Sequence, residues 1–224
     1  MAYETNIVKK PWGYEYLAYE SEDVALWLLY IGHEQSTSMH CHPNKTTGLM
    51  VLSGEAEVSF LNNTLSVTSG MKVMIRKGLF HSTTSCNPAG TWVLEIETPV
   101  DKHDLVRFRD SYGREGKPYE DQTHEIPKKD SCVWLEDPPL DSSLSYNLSD
   151  RATLRIIHVA DINYFKDLDD EANVVFLKGG LQTDYGINVA GAGDIVTNKV
   201  IKKLMNVFNI LDEKTVIMMV EDKC

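Results

Sequence analysis

GHEQSTSMHCHPNKTTGLMVLSG (residues 32–54) and, after a short interval, GMKVMIRKGLFHSTTS (residues 70–85) are the most informative stretches of this chain. His40 and His42 are two positions apart, so on a strand both imidazoles leave from the same face. Cys41, between them, points the other way. His81 closes a Gly-x-x-His turn after a strand-like run, the place where a closed sheet can return a third imidazole to the same point. Neutral imidazole nitrogens suit Zn, Fe, Ni, Cu or Mn, and three protein ligands leave coordination positions open for a substrate. A single His-x-His pair is more often an ordinary surface or core feature. The added, regularly placed Gly54, Gly70, Gly78 and His81 favour a barrel-lining cluster with one divalent metal ion on His40, His42 and His81.

The surrounding residues read as a barrel. VALWLLYI (24–31), GLMVLSG (48–54), EAEVSFL (55–61), TLSVTSG (64–70), KVMIRKG (72–78) and TWVLEIET (91–98) are short apolar or alternating runs. Gly, Asn-Asn and Ser-Gly separate them, as in an antiparallel sandwich or barrel. No helical period competes across that region.

These two stretches resemble the paired motifs of the cupin superfamily. The first motif has an HxH pair, then a glutamate, then a glycine seven residues later; Gly54 fits the glycine, whereas Thr47 stands where the glutamate belongs. The second motif is matched by Gly70, Gly78 and His81, with Arg76 in place of its proline and Ser85 in place of its asparagine. KPWGYEY (10–16) and VLSGEAEV (51–58) look like the cupin domains of mannose-6-phosphate isomerases. The resemblance covers about residues 10–120. It implies a double-stranded β-helix (jelly-roll) barrel, a metal-dependent isomerase or epimerase acting on a sugar phosphate or nucleotide sugar, a role in surface-polysaccharide synthesis, and a homodimer. The absent glutamate removes a negative ligand and should weaken the metal unless another carboxylate substitutes. A similar three-histidine set occurs in iron-dependent thiol dioxygenases, and a non-catalytic sugar-binding or regulatory module is a further alternative.

Glu95 and Glu97 share one face of TWVLEIET. If that face points inward, either could ligate the metal or act as a catalytic base. If instead Trp92, Leu94 and Ile96 face the core, both are solvated. Lys45, Thr47, Arg76 and Lys77 flank the histidines and are the candidates to meet an anionic substrate. Lys102, His103, Arg107, Arg109 and Arg114 offer a second basic group, although Asp101, Asp104 and Asp110 among them fit local ion pairing equally well.

The expected division is a barrel over 1–125, a linker over 126–150 and a mixed α/β segment over 151–224, a degenerate half cupin being one reading of the last. The linker assignment rests on Pro127, Pro138, Pro139 and several serines without period. Beyond it TLRIIHV (153–159), NVVFLKGG (173–180) and TVIMMVE (215–221) read as strands. Thr197 is placed to cap a helix with apolar positions Val200, Ile201, Leu204 and Phe208. GINVAGAGDIV (186–196) echoes TLSVTSGMKVMI (64–75), and its GAGD reads as a tight turn rather than a phosphate-handling loop.

The chain is 42% hydrophobic and 25% charged, a globular composition. Its net charge of −11 argues against nucleic acid or an anionic membrane as partner. The four cysteines form no CxxC pair and read as free thiols in a cytoplasmic protein. The opening MAYETNIVKK has no apolar signal core.

Overall fold

The computed structural model describes residues 7–101, 103–117, 132–148 and 152–222. It divides into two compact units, residues 1–20 with 25–134 and residues 21–24 with 135–224.

The first unit consists of β1 (Ile7–Lys10), β2 (Gly13–Glu20), β3 (Ala25–Ile31), β4 (Met39–Cys41), β5 (Thr46–Ser53), β6 (Glu55–Phe60), β7 (Thr64–Thr68), β8 (Lys72–Ile75), β9 (His81–Ser85), β10 (Thr91–Thr98) and β11 (Val106–Arg109). Two sheets form, in the orders β1-β2-β3-β10-β5-β8 and β11-β4-β9-β6-β7. Numbering β3 to β10 as strands one to eight, the sheets read 1-8-3-6 and 2-7-4-5, which is the jelly-roll order of a double-stranded β-helix. Local sequence explains the register. In EAEVSF, Ala56 and Val58 point inward and are buried, while Glu55 and Glu57 face solvent. Gly54 lets β5 turn into β6 with a φ of 90°, where a Cβ would lie 2.9 Å from the carbonyl oxygen of Gly90. Inside, Trp27, Leu29, Leu49, Val51, Val58, Val67, Ile75 and Val93 form one apolar cluster.

The second unit contains β12 (Ser143–Asn147), β13 (Ala152–His158), α1 (Tyr164–Asp167), β14 (Asn173–Lys178), β15 (Gly180–Gln182), β16 (Asn188–Gly191), β17 (Ile195–Thr197), α2 (Asn198–Met205), β18 (Ile210–Leu211) and β19 (Val216–Asp222). Its sheets run β12-β13-β19-β14-β17 and β16-β15-β18. With β13 as strand one and β19 as strand eight, this is again 1-8-3-6 facing 7-4-5. The second strand is absent, and α1 lies in the connection where it would be. Thr197 does occupy the N-cap of α2, but its hydroxyl makes no capping bond, and the helix stops at Met205, short of Phe208.

One part of the expected linker is structured. β12, inside the 126–150 stretch, pairs along its whole length with β13. Its SLSYN sequence is that of an edge strand, with serines outward and Leu144 and Tyr146 half-buried. Residues 126–131 and 149–150 lie outside the described residues. Among the described residues no helix is long and apolar enough to cross a membrane.

Candidate metal centre

His40 on β4 pairs directly with His81, the first residue of β9. Their ring centroids are 4.5 Å apart, and the ring of His42, just beyond β4, is 5.0 Å from His40 and 5.7 Å from His81. A ligand nitrogen from each of the three lies within 4.8 Å of the other two. The sequence-separated histidines therefore meet at one point.

A backbone carbonyl fixes each ring. The Nδ1–H of His40 donates to the Ser38 oxygen at 2.7 Å, that of His42 to Asp104 at 2.6 Å, and that of His81 to Leu79 at 3.0 Å. A carbonyl only accepts, so each Nδ1 carries the hydrogen and each Nε2 keeps its lone pair, the arrangement of a metal-binding imidazole. Burial, followed by the neighbouring His81 and His42, holds His40 well below the usual imidazole pKa. Burial and then the Lys45 ammonium lower His42 to about 3, and burial lowers His81. The Nε2 of His42 is buried without a hydrogen-bond partner. A buried lone pair left idle is costly in a core and useful beside a cation. These donors fit a divalent metal ion, and the cluster can hold one.

Glu95 and Glu97 turn into the same cleft. Residues Leu94 and Ile96, on the opposite face of β10, are fully buried as well, so both faces of this strand are covered. An oxygen of Glu97 lies 3.6 Å from His42 Nε2, and His42, Glu95 and Glu97 form a second group of potential ligands. The Lys45 ammonium donates to Glu97 at 2.6 Å, and its side chain is 2% exposed. Burial raises the pKa of Glu97 and Lys45 pulls it back. Glu95 is pushed well above the carboxylate range by burial, then by Glu97 and Glu15. Thr47 sits opposite Glu97 in the β5–β10 register and is buried, with its hydroxyl unpartnered.

The cleft spans about 620 Å³ including its open mouth. Lys10, Trp12, Glu15, Trp27, Arg107 and Arg114 line it alongside His40, His42, Glu95 and Glu97. Arg76 and Lys77, expected to reach an anion here, are exposed and do not line it. The turn after β8 carries them outward: the Gly78 N–H bonds to the His42 carbonyl, and a Cβ on Gly78 would meet nothing. Besides Lys45, the cationic side chains that line the cleft come from β1, from β11 and from the loop after it. Arg114 is also paired with Asp110 at 2.7 Å, so the ion-pair reading of that segment holds alongside its place in the wall. Lys102 lies outside the described residues.

Sequence reasoning named Asp104 only as a local ion-pair partner and missed its part in the site. Its carboxylate accepts the backbone N–H of Asn44 and Lys45 and the side-chain amide of Asn44, while its carbonyl orients His42. It also missed the ion pair of Lys10 with Glu15 at 3.3 Å. KPWGYEY held that signal, since Lys10, Trp12 and Glu15 all line the cleft.

No protein-family model matches the chain, and no curated protein does. Solved structures do. An uncharacterised Klebsiella pneumoniae protein with a double-stranded β-helix domain is 18% identical, with 43% of this chain and 79% of that one covered and a TM-score of 0.40. KdgF from Halomonas sp. is 14% identical, covering 41% and 84%, at a TM-score of 0.39. A sugar phosphate isomerase of the cupin superfamily from Silicibacter pomeroyi is 13% identical, covering 42% and 64%, also at 0.39. Likenesses this distant say nothing of chemistry. The chain's own strand order carries the fold: the first unit is a double-stranded β-helix, with three imidazoles gathered at one point.

Proposed function

We propose that the protein is a metal-dependent cupin that isomerises or epimerises an anionic sugar, either a sugar phosphate or a nucleotide sugar. The observation behind this reading is the set of three carbonyl-tethered imidazoles that meet at one point, with the buried Glu97 and half-buried Glu95 grouped beside His42. His40, His42 and His81 would hold the metal, which supplies a Lewis acid that polarises a carbonyl oxygen. Glu95 is the group suited to carry the proton between adjacent carbons. A carboxyl whose pKa is raised by burial is a stronger base than an exposed one and can both take and return a proton. Lys10, Arg107 and Arg114 supply positive charge to a substrate phosphate against the net −11 of the chain, and Trp12 and Trp27 offer apolar faces to a sugar ring.

The test is metal analysis of the purified protein, followed by a panel of sugar phosphates and nucleotide sugars in deuterium oxide. Zinc, nickel or manganese at one per chain, with solvent deuterium appearing beside the substrate carbonyl, is the expected result. Stoichiometric iron with oxygen uptake would replace this reading with a three-histidine dioxygenase. Sugar binding by folded protein that takes up no metal would replace it with a binding module.

A further inference from the structure

The jelly roll places residues 47 and 97 directly opposite one another on β5 and β10, with their side chains on the same inner face. A carboxylate at either position addresses the same part of the cleft. Position 47 holds a threonine and position 97 a glutamate. Glu97 Oε1 stands 3.6 Å from His42 Nε2, a nitrogen with no hydrogen-bond partner. That separation is too long for a hydrogen bond. It is close to the spacing of two atoms that each lie about 2.1 Å from one ion, which is about 3.0–3.5 Å.

The cation now held by Glu97 is the ammonium of Lys45, buried, with Glu97 as the acceptor of its side-chain hydrogen bond at 2.6 Å. Lys45 stands just before β5 and lines the same cleft as Glu97. Its backbone N–H is clamped to Asp104, which fixes the root of the side chain and leaves its four-carbon stem to move.

We propose that Glu97 supplies a carboxylate ligand from β10, across from Thr47, and that Lys45 is its counter-ion in the metal-free protein, displaced from Glu97 when the ion enters. Glu97 would then join the ion through His42, the residue shared by the two potential ligand groups, and Glu95 is left as the proton carrier. This rests on the metal-binding reading above.

Co²⁺ is the probe, titrated into the full chain by calorimetry and followed by its visible absorption. The parent takes up one ion. Glu97→Gln weakens Co²⁺ by at least about tenfold and alters the absorption envelope, whereas Glu95→Gln stays near the parent. Thr47→Glu in the Glu97→Gln background recovers the affinity. Lys45→Met binds Co²⁺ more tightly than the parent, and loses that gain when combined with Glu97→Gln, which relief of charge repulsion alone would not give. If Glu97→Gln binds with the parent's affinity and spectrum while His42→Ala does not bind, the proposal is overturned and the histidine site stands. If the parent takes up no Co²⁺, the metal-dependent reading itself fails. Should Glu97→Gln not fold, Lys45→Met decides: unchanged or weaker binding overturns the handover.

Discussion

The two units share a framework and differ in what fills it. In the first, the third-strand residue Val51 exchanges two backbone bonds with the turn between strands five and six, accepting from Gly70 at 2.9 Å and donating to Met71 at 3.0 Å. In the second, Phe176 accepts from Gly193 at 2.9 Å and donates to Asp194 at 3.0 Å. The N–H of Cys86 reaches the Glu55 carbonyl as that of Asp212 reaches Gly180. A glycine with positive φ ends the third strand in each, Gly54 and Gly179, and a threonine hydroxyl crowds each, Thr91 and Thr215. The interiors diverge. The strand that bears His40, with His42 just beyond it, has no counterpart among the described residues of the second unit, and four residues before Leu211, where His81 would fall, stands Val207. Phe165 of α1 and Ile201 of α2, both fully buried, join Phe176, Leu181 and Ile217 in an apolar core. Among the described residues both potential metal groups lie in the first unit. The scaffold therefore depends on its turns and on strands three and eight, while the site depends on strands two and seven.

Substitutions can break this contrast. His42→Ala should have the largest effect, reducing bound metal from one per chain to none by elemental analysis and turnover by about a thousandfold or more. Residual stoichiometric metal would mean that His42 is not needed to hold the ion. Phe165→Ala should leave metal content unchanged and destabilise the protein by about 3–5 kcal/mol in denaturant titration, through the cavity it opens. Gly54→Ala and Gly179→Ala should each cost about 1–3 kcal/mol, since each sets a Cβ against neighbours at positive φ. A large cost at one and none at the other would end their equivalence. Gly186, also at positive φ but with open space around it, should cost about 1 kcal/mol or less as alanine.

A pH series gives a smaller effect confined to the first unit. The folded-state pKa of Glu95 is raised above its unfolded value, so folding binds a proton more tightly. That contribution is fully present below the unfolded pKa and is lost as pH climbs through the folded one. The metal-free Glu95→Gln variant should therefore match or fall below the parent's melting temperature at pH 4 and exceed it at pH 8. A parallel pair of curves would show an ordinary carboxylate at that position.

What the sequence made legible was local. His-x-His spacing, glycine turns and the alternation of EAEVSF each report a backbone geometry within a few residues, and they located the strands and the histidine cluster. The inward face of β10 was ambiguous because both of its faces are buried, so Trp92, Leu94 and Ile96 looked as core-like as any inner face. Arg76 and Lys77 misled because closeness in sequence to His81 does not encode which way a turn swings. Asp104 carried no signal, since its role depends on a loop 60 residues away. The second jelly roll showed only as the echo of 64–75 in 186–196. Those stretches occupy strands five and six in both units, and the missing second strand hid the rest.

The clamp between Asp104 and residues 42–45 has a practical corollary for protein engineering. Grafting the two histidine motifs onto another jelly roll would transfer three imidazoles without the tether that aims the second. A functional transplant would need the segment that follows the eighth strand as a third graft, because one aspartate there orients His42 by its main chain and the neighbouring loop by its side chain.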